Sequence, residues 1–291
     1  MCTNPERPWP AWDGSFDYDY SSIIGRLEKR KKEILKDDSI YITGGEPTLH
    51  PNFLDIIEYL SKNFSKQAIK LLTNGRMFSY ADFAKKFLSI NPKIEIEVSL
   101  YGPSAKIHDS VTGARGSFQQ TLAGLKNLLK YRKQDQQIGI RFVITKLSYN
   151  RIEDFFEMAI KNFSQADRVI IIFMEYEGSA IKNPSSNIQY KLTEVSLKNI
   201  DKYFKMLKEV RMYHFPLCVI DKKFWPYVWK TWPKQEIKFV KACRDCQAKK
   251  HCSGIHKGYL KAVGDKEFSS VKNKIKLKKI NNPFNPLKEM F

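Results

Sequence analysis

The sequence predicts an α/β protein built on a parallel sheet, and two observations carry that prediction. Five short runs of mostly aliphatic residues recur along the first 174 positions, each followed by a segment that reads as helical or, after the last, by turn residues. The length of 291 residues, with 42% hydrophobic and 13% aromatic content, supports one large core plus an appendage and excludes a disordered chain. Repeated βα units make a parallel sheet that is either open or curled toward a barrel. In both arrangements ligands bind at the carboxyl ends of the strands.

Taken in order, YSSIIGRLEKRKKEIL (20–35) reads as a helix with Ser21 or Ser22 near its cap. SIYIT (39–43) is the first strand, followed by a helix from about Asn52 to Asn63. AIKLLT (68–73) is the second, with a helix from about Ser79 to Leu88. KIEIEVSL (93–100) alternates charged and apolar residues as a third strand, and SFQQTLAGLKNLLKY (117–131) is helical. IGIRFVIT (138–145) precedes a helix near Arg151 to Lys161, and RVIIIFM (168–174) is the fifth strand. After Gly178 this rhythm is expected to stop, with a long helix over about Thr193 to Arg211 and a Trp- and Pro-rich stretch, FWPYVWKTWP. The turn residues of KNPSSN place a boundary near residue 183.

No apolar run reaches the ~18 residues of a membrane span, and the N-terminus lacks the regions of a signal peptide, so a cytoplasmic protein is expected. The formal charge of +19 could attract nucleic acid or an acidic peptide. No RNP or GXXG clamp accompanies it, and a solvated basic face is the favoured reading over a nucleic-acid partner. The five cysteines are odd in number and uneven in placement: Cys2 stands alone, while Cys218, Cys243, Cys246 and Cys252 lie toward the other end. That pattern argues against a disulfide framework and for metal ligation.

Polar groups stand at four successive strand ends. TGGEP (43–47) follows the first strand, and its paired glycines let a ligand approach the backbone beside the Glu46 carboxylate. The second strand ends in TNG, the third in SLYG with Ser99, and the fourth carries Arg141. This set resembles the radical S-adenosylmethionine (SAM) superfamily, in which a GGEP segment follows the second strand of a partial (β/α)6 TIM-like barrel. The resemblance implies that Gly44, Gly45, Glu46 and Pro47 hold the methionyl amino group of SAM, and that Asn74, Ser99 and Arg141 hold its carboxylate and ribose. It also accounts for Cys2. The superfamily's C-x-x-x-C-x-φ-C motif ends as MCTNP does, with Met1 as the apolar residue contacting adenine and Cys2 as the third ligand of a [4Fe–4S] cluster. The barrel's first strand and two cysteines would then precede Met1. A start codon assigned at an internal Met is the favoured explanation, a noncatalytic relative the other, and the chain as written is expected to be inactive alone.

The run CRDCQAKKHC gives C-x2-C-x5-C, with Cys218 25 residues upstream. Four cysteines suit a tetrahedral zinc site or a [4Fe–4S] cluster, and spacing does not choose. The resemblance does: such a run after the barrel is similar to the SPASM or twitch extensions of radical SAM peptide maturases. It implies one auxiliary cluster on Cys218, Cys243, Cys246 and Cys252, leaving His214, His251 and His256 as packing or surface residues. The segments 107–129 and 213–255 resemble the His-Xaa-Ser system maturases. The implied organisation is a core over 1–183, an auxiliary-cluster region over 184–265 and a basic, mobile tail over 266–291. The implied function is reductive SAM cleavage to a 5′-deoxyadenosyl radical during maturation of a ribosomal peptide, with a flavodoxin or ferredoxin as electron donor. An RNA-modifying enzyme and a scaffold with a structural four-cysteine site are the alternatives. Glu175 and Glu177, after the fifth strand, are candidate cavity residues.

Overall fold

A computed structural model describes residues 19–178, 180 and 187–273. These fall into two compact units, the first comprising 19–99 with 116–140, the second 100–115 with the described residues from 141 onward. The expected basic tail lies outside the described residues beyond 273.

The first unit opens with α1 (Tyr20–Lys29) and α2 (Lys31–Ile34), where one helix was expected; Arg30, at φ −105° and ψ 9°, interrupts it. The cap is Asp19 rather than Ser21 or Ser22. Its carboxylate accepts from Ser22 N at 2.7 Å and from the Ser21 hydroxyl at 2.9 Å, so the serines serve the cap as donors. There follow β1 (Ser39–Ile42), α3 (Phe53–Asn63), β2 (Ala68–Thr73), α4 (Ala81–Ile90) and β3 (Glu95–Leu100). Helix α5 (Ala105–Thr112) belongs to the second unit, and α6 (Ser117–Tyr131) returns to the first. β1 pairs with β2, and β2 with β3, all parallel. Lys70 lies beside Glu95 in that register, with Nζ 3.5 Å from the carboxylate, which explains why charged residues alternate along these strands. Ile69, Leu71, Ile96 and Val98 are buried between them. Phe53 and Phe78 close on Phe87 with ring centroids 5.5 and 5.0 Å away. Burying each such ring contributes about 2–3 kcal/mol.

Strand β4 (Gln137–Ile144) carries the chain into the second unit, which continues with α7 (Ile152–Phe163), β5 (Arg168–Phe173), α8 (Tyr190–Leu197), α9 (Asp201–Phe204) and β6 (Val210–Tyr213). Two-residue strands β7 (Val228–Trp229), β8 (Ile237–Lys238) and β9 (Ile255–His256) follow, then α10 (Lys257–Ala262). The long helix expected over 193–211 is absent, replaced by two short helices and a strand. The last four residues read differently once paired: Val210 and Met212 are buried while Arg211 and Tyr213 are half-buried, a period of two that seats β6 parallel to β5. The Arg211 guanidinium lies 4.0 Å from the Trp229 ring on β7, which is parallel to β6. The βα rhythm therefore runs past Gly178 for one more full unit. Every residue of β5 is buried, and Phe173 stacks on Tyr190 at 3.8 Å within a cluster that includes Tyr259 and Phe215.

Within the first unit the parallel strands run β1-β2-β3 and within the second β5-β6-β7, each in chain order, without the reversal that marks a doubly wound fold. That order is the one a barrel segment requires, so the α/β class and parallel strands are as expected. Among the described residues no helix is long and apolar enough to cross a membrane.

Candidate cofactor and metal centres

Within the first unit, the ends of β1 and β2 meet at one carboxylate. Glu46 follows Gly44–Gly45 and caps the turn Pro47–Leu49. Its Oε1 accepts from Thr48 N at 3.2 Å, the Thr48 hydroxyl at 2.6 Å and the Thr73 hydroxyl at 2.7 Å. Its Oε2 accepts from Asn74 N at 2.7 Å. Three donors crowd Oε1 and a single one reaches Oε2, so Oε2 is the oxygen with room for a further donor. Gly44 has φ 144°, a backbone region closed to other residues, and a Cβ added at Gly44 or Gly45 would meet nothing within 4 Å. Open backbone beside a fixed carboxylate whose Oε2 takes a single donor fits an amino donor. Pro47 starts the turn and is half-buried.

Asn74 commits its carboxamide oxygen to Arg76 N at 2.9 Å, while its carbonyl accepts from the Thr121 hydroxyl at 2.9 Å. Helix α6 thereby locks the TNG turn, and Gly124 is required there because a Cβ would fall 2.1 Å from the Gly75 carbonyl oxygen. Ser99 is half-buried on β3, on the strand face of Glu95 and Glu97. Arg141 is half-buried on β4 in the second unit. The structure thus brings Glu46 and Asn74 together. Met1 and Cys2 lie outside the described residues. The residues missed in the sequence are Thr48, Thr73 and Thr121; the threonine of TNG, at a strand end, was the available signal.

In the second unit, Cys218, Cys243, Cys246 and Cys252 line one cavity with Phe239 and Ile255. Cys252 Sγ accepts from Leu217 N and Cys246 Sγ from Val271 N, both at 3.4 Å. Burial pushes the Cys218 thiol up to about 11 and also raises Cys243 and Cys252, so a bound cation is what would make thiolates here. Among the described residues, the one group with three ligand atoms within 4.8 Å of one another is Glu177, Glu236 and His256; no three of the sulfurs converge so closely. A single zinc, with Zn–S of about 2.3 Å, would draw its sulfurs to within about 3.8 Å of each other. The splayed thiols fit a larger, cubane-sized group better.

Beyond β5, Met174 and Tyr176 turn inward, leaving Glu175 and Glu177 on the opposite face. Each carboxylate meets a buried histidine. His214, just past β6 at φ 70°, sets Nδ1 3.0 Å from the Phe173 carbonyl oxygen and Nε2 3.3 Å from Glu175 Oε1. Burial lowers its pKa; Glu175 and the Phe173 carbonyl oppose that, while Arg141 and His256 add to it. Trp232 stacks on the imidazole at 4.3 Å and donates Nε1–H to Glu175 Oε1 at 3.2 Å. His256 Nε2 lies 2.9 Å from Glu177 Oε1. Both histidines are therefore packed and paired rather than on the surface. The last tryptophan of FWPYVWKTWP orients this group and does not line the cysteine cavity.

The Radical SAM superfamily model matches residues 1–159. Antilisterial bacteriocin subtilosin biosynthesis protein AlbA of Bacillus subtilis (strain 168) is 32% identical over 128 residues, 43% of this chain and 27% of that protein. Mycofactocin maturase MftC of Mycobacterium ulcerans (strain Agy99) is 30% identical over 120 residues, 41% of this chain and 31% of that protein. The chain thus spans about a third or less of the length of these curated relatives. A solved structure described as "Native anSMEcpe with bound AdoMet" superposes with a TM-score of 0.50 at 20% identity, covering 65% of this chain and 54% of that one, and shares its fold.

Proposed function

This chain belongs to the radical SAM superfamily, and we propose that it acts in the maturation of a ribosomal peptide through SAM-derived radical chemistry. The observation that carries the proposal is the Glu46 arrangement: a carboxylate fixed by four donors from two strand ends, with an acceptor position open beside bare glycine backbone. Gly44, Gly45, Glu46 and Pro47 would hold the amino group of SAM, with Asn74, Ser99 and Arg141 on the carboxylate and ribose and Met1 against adenine. Cys2 would ligate the cluster to which SAM binds. Bound there and reduced, by a flavodoxin or ferredoxin in this reading, SAM supplies a 5′-deoxyadenosyl radical that takes a hydrogen atom from a substrate carbon. The chain's own part is to orient SAM rigidly and exclude water.

Cys218, Cys243, Cys246 and Cys252 would hold an auxiliary [4Fe–4S] cluster, favoured over zinc by the wide spread of the sulfurs. Backbone N–H groups directed at two of those sulfurs would tune it. The core is assigned to 1–183, the auxiliary region to 184–265 and the tail to 266–291. Two relatives named for bacteriocin biosynthesis and mycofactocin maturation support a peptide substrate over RNA.

The test is anaerobic reconstitution of this chain, and of the product read in frame upstream of Met1, followed by iron counting and mass-spectrometric detection of 5′-deoxyadenosine after reduction with SAM. Deoxyadenosine from the extended product, with a second cluster lost on substituting Cys218, supports the reading. A colourless, zinc-filled protein that makes none would favour the scaffold.

A further inference from the structure

We propose that the surface over the cysteine cavity of the second unit is the docking site of an acidic one-electron carrier protein, of the flavodoxin or ferredoxin kind. Residues 238–252 include three of the four cavity cysteines. They carry five cations, Lys238, Lys241, Arg244, Lys249 and Lys250, against one acid, Asp245. The whole chain spreads its +19 over 291 residues, so this stretch holds about four times the average density of positive charge. All five cations are exposed, as is Lys272, which follows the Val271 N–H bonded to Cys246 Sγ. They surround the cavity: Lys249 lines it, Lys238 adjoins the lining residue Phe239, and Arg244 adjoins Cys243. Lys249 Nζ lies 5.5 Å from the Phe239 ring.

None of these six forms an ion pair among the described residues. Lys202, Lys208 and Lys223 of the same unit do, with ammonium groups 2.6, 3.0 and 2.7 Å from carboxylates. The field over the cavity is therefore not cancelled locally. It reaches solvent, where it steers an anionic surface and is screened by salt. Two features choose the partner. Among the described residues from 207 to 273 no large hydrophobic side chain is exposed, so the face lacks the apolar anchors of a long-lived complex. It suits the small, transient contact of electron-transfer partners. No aromatic ring is exposed there either, whereas single-stranded nucleic acid is held on stacking platforms within a basic groove.

Beneath the cations, Cys218, Cys246 and Cys252 are half-buried, so their sulfurs stand close to the surface a carrier would touch. The electron exchange rests on the proposed function; the charged surface does not. A carrier docked here exchanges one electron with the iron–sulfur centre that Cys218, Cys243, Cys246 and Cys252 would hold. One partner is reduced as the other is oxidised, no bond forms or breaks, and no proton moves. Charge complementarity of this kind acts mainly on the rate of association. Reversing the cations should therefore slow encounter while leaving the ligand set intact. Lys241, Arg244 and Lys250 do not line the cavity and are the positions to change; Lys249 lines it and is left in place.

The test compares two triple variants of equal charge. One is Lys241→Glu, Arg244→Glu and Lys250→Glu on the proposed face; the other is Lys62→Glu, Lys86→Glu and Lys126→Glu at exposed positions of the first unit. Binding of each chain to a purified flavodoxin, a purified ferredoxin and a short single-stranded RNA is measured by calorimetry at low and high salt. The expected result is salt-sensitive carrier binding that the first triple weakens about tenfold or more and the second less than about threefold. Lys241→Gln with Lys250→Gln, which neutralises without reversing, should weaken it in the same direction. Equal weakening by both triples, or no carrier binding by the wild type, overturns the proposal. So does RNA held more tightly than either carrier and lost in the first triple. In the reconstituted chain, stopped-flow absorbance should show electron exchange with the carrier slowed about tenfold in the first triple at unchanged iron content. Exchange at the wild-type rate overturns the electron role. If the site fills with zinc, that role falls with the reading it rests on, and the binding comparison alone decides the docking surface.

Discussion

Replacing Glu46 with Gln tests the arrangement on which the SAM site depends. Glutamine keeps the shape and loses one acceptor oxygen. If its NH2 takes the Oε2 place, it confronts the Asn74 N–H now 2.7 Å from Oε2. If it takes the Oε1 place, the hydroxyls of Thr48 and Thr73 can turn to accept, but Thr48 N–H cannot. Either flip orphans one backbone donor in a half-buried site. The cost is about 1–3 kcal/mol, and at about 2 kcal/mol the equilibrium for opening the turn rises roughly 30-fold. Hydrogen exchange of peptides over residues 68–80, followed by mass spectrometry, reads this locally without assuming that two units unfold together. Thr73→Val should cost about 1 kcal/mol in the wild type and distinctly less beside Glu46→Gln, because the two share one hydrogen bond. Exchange unchanged within threefold, or additive effects of the pair, would refute the claim that Glu46 ties the two strand ends together.

Gly124→Ala should lower the melting temperature by many degrees, since its Cβ would sit 2.1 Å from the Gly75 carbonyl oxygen, a backbone atom; Gly25→Ala, in open space on α1, should stabilise by up to about 1 kcal/mol, and the two melts compared check both. Cys218→Ala should remove about four irons per chain after reconstitution, counted against protein, whereas loss of a single zinc would show the sulfurs can close up after all. Burial holds Tyr176 up to about 12, against an ordinary value near 10 when unfolded, so its contribution is full below pH 10 and lost as pH rises toward 12. Urea midpoints of the wild type should therefore fall across that interval more steeply than those of Tyr176→Phe.

Strands buried on both faces were legible because they leave continuous aliphatic runs, and β5, RVIIIF, is the clearest. β6 was not. Its four residues follow a Lys- and Glu-rich stretch that reads as helix, and only pairing with β5 reveals their alternation. The TGGEP and C-x2-C signals were legible because each is local, a few residues whose chemistry does not depend on what folds against them. The Glu175–His214–Trp232 group joins residues up to 57 apart in the chain and has no spacing of its own. Nothing in the sequence ties one histidine to one carboxylate. That assignment comes from the parallel neighbours β5 and β6, which end at the same level and so set His214 beside Phe173 and Glu175.

The two sites rest on the same physical device. A carboxylate alone at a strand end is a solvated, mobile charge, and orienting it at the moment of binding would cost affinity. Glu46 is fixed by donors from its own turn and the next strand, so its remaining lone pair already points where a donor must come. Glu175 is held by the Trp232 indole beside His214, and Glu177 by His256 on β9. In each case part or all of the hold comes from a distant element: β2 for Glu46, Trp232 after β7 for Glu175 and β9 for Glu177. An insertion that shifted β2 by one residue would turn Thr73 to the other face, leaving the Glu46 carboxylate present but less firmly held. Such register shifts should abolish ligand response while sparing the strands themselves, which makes the pairing between neighbouring strand ends, more than any one acidic residue, the feature on which function depends.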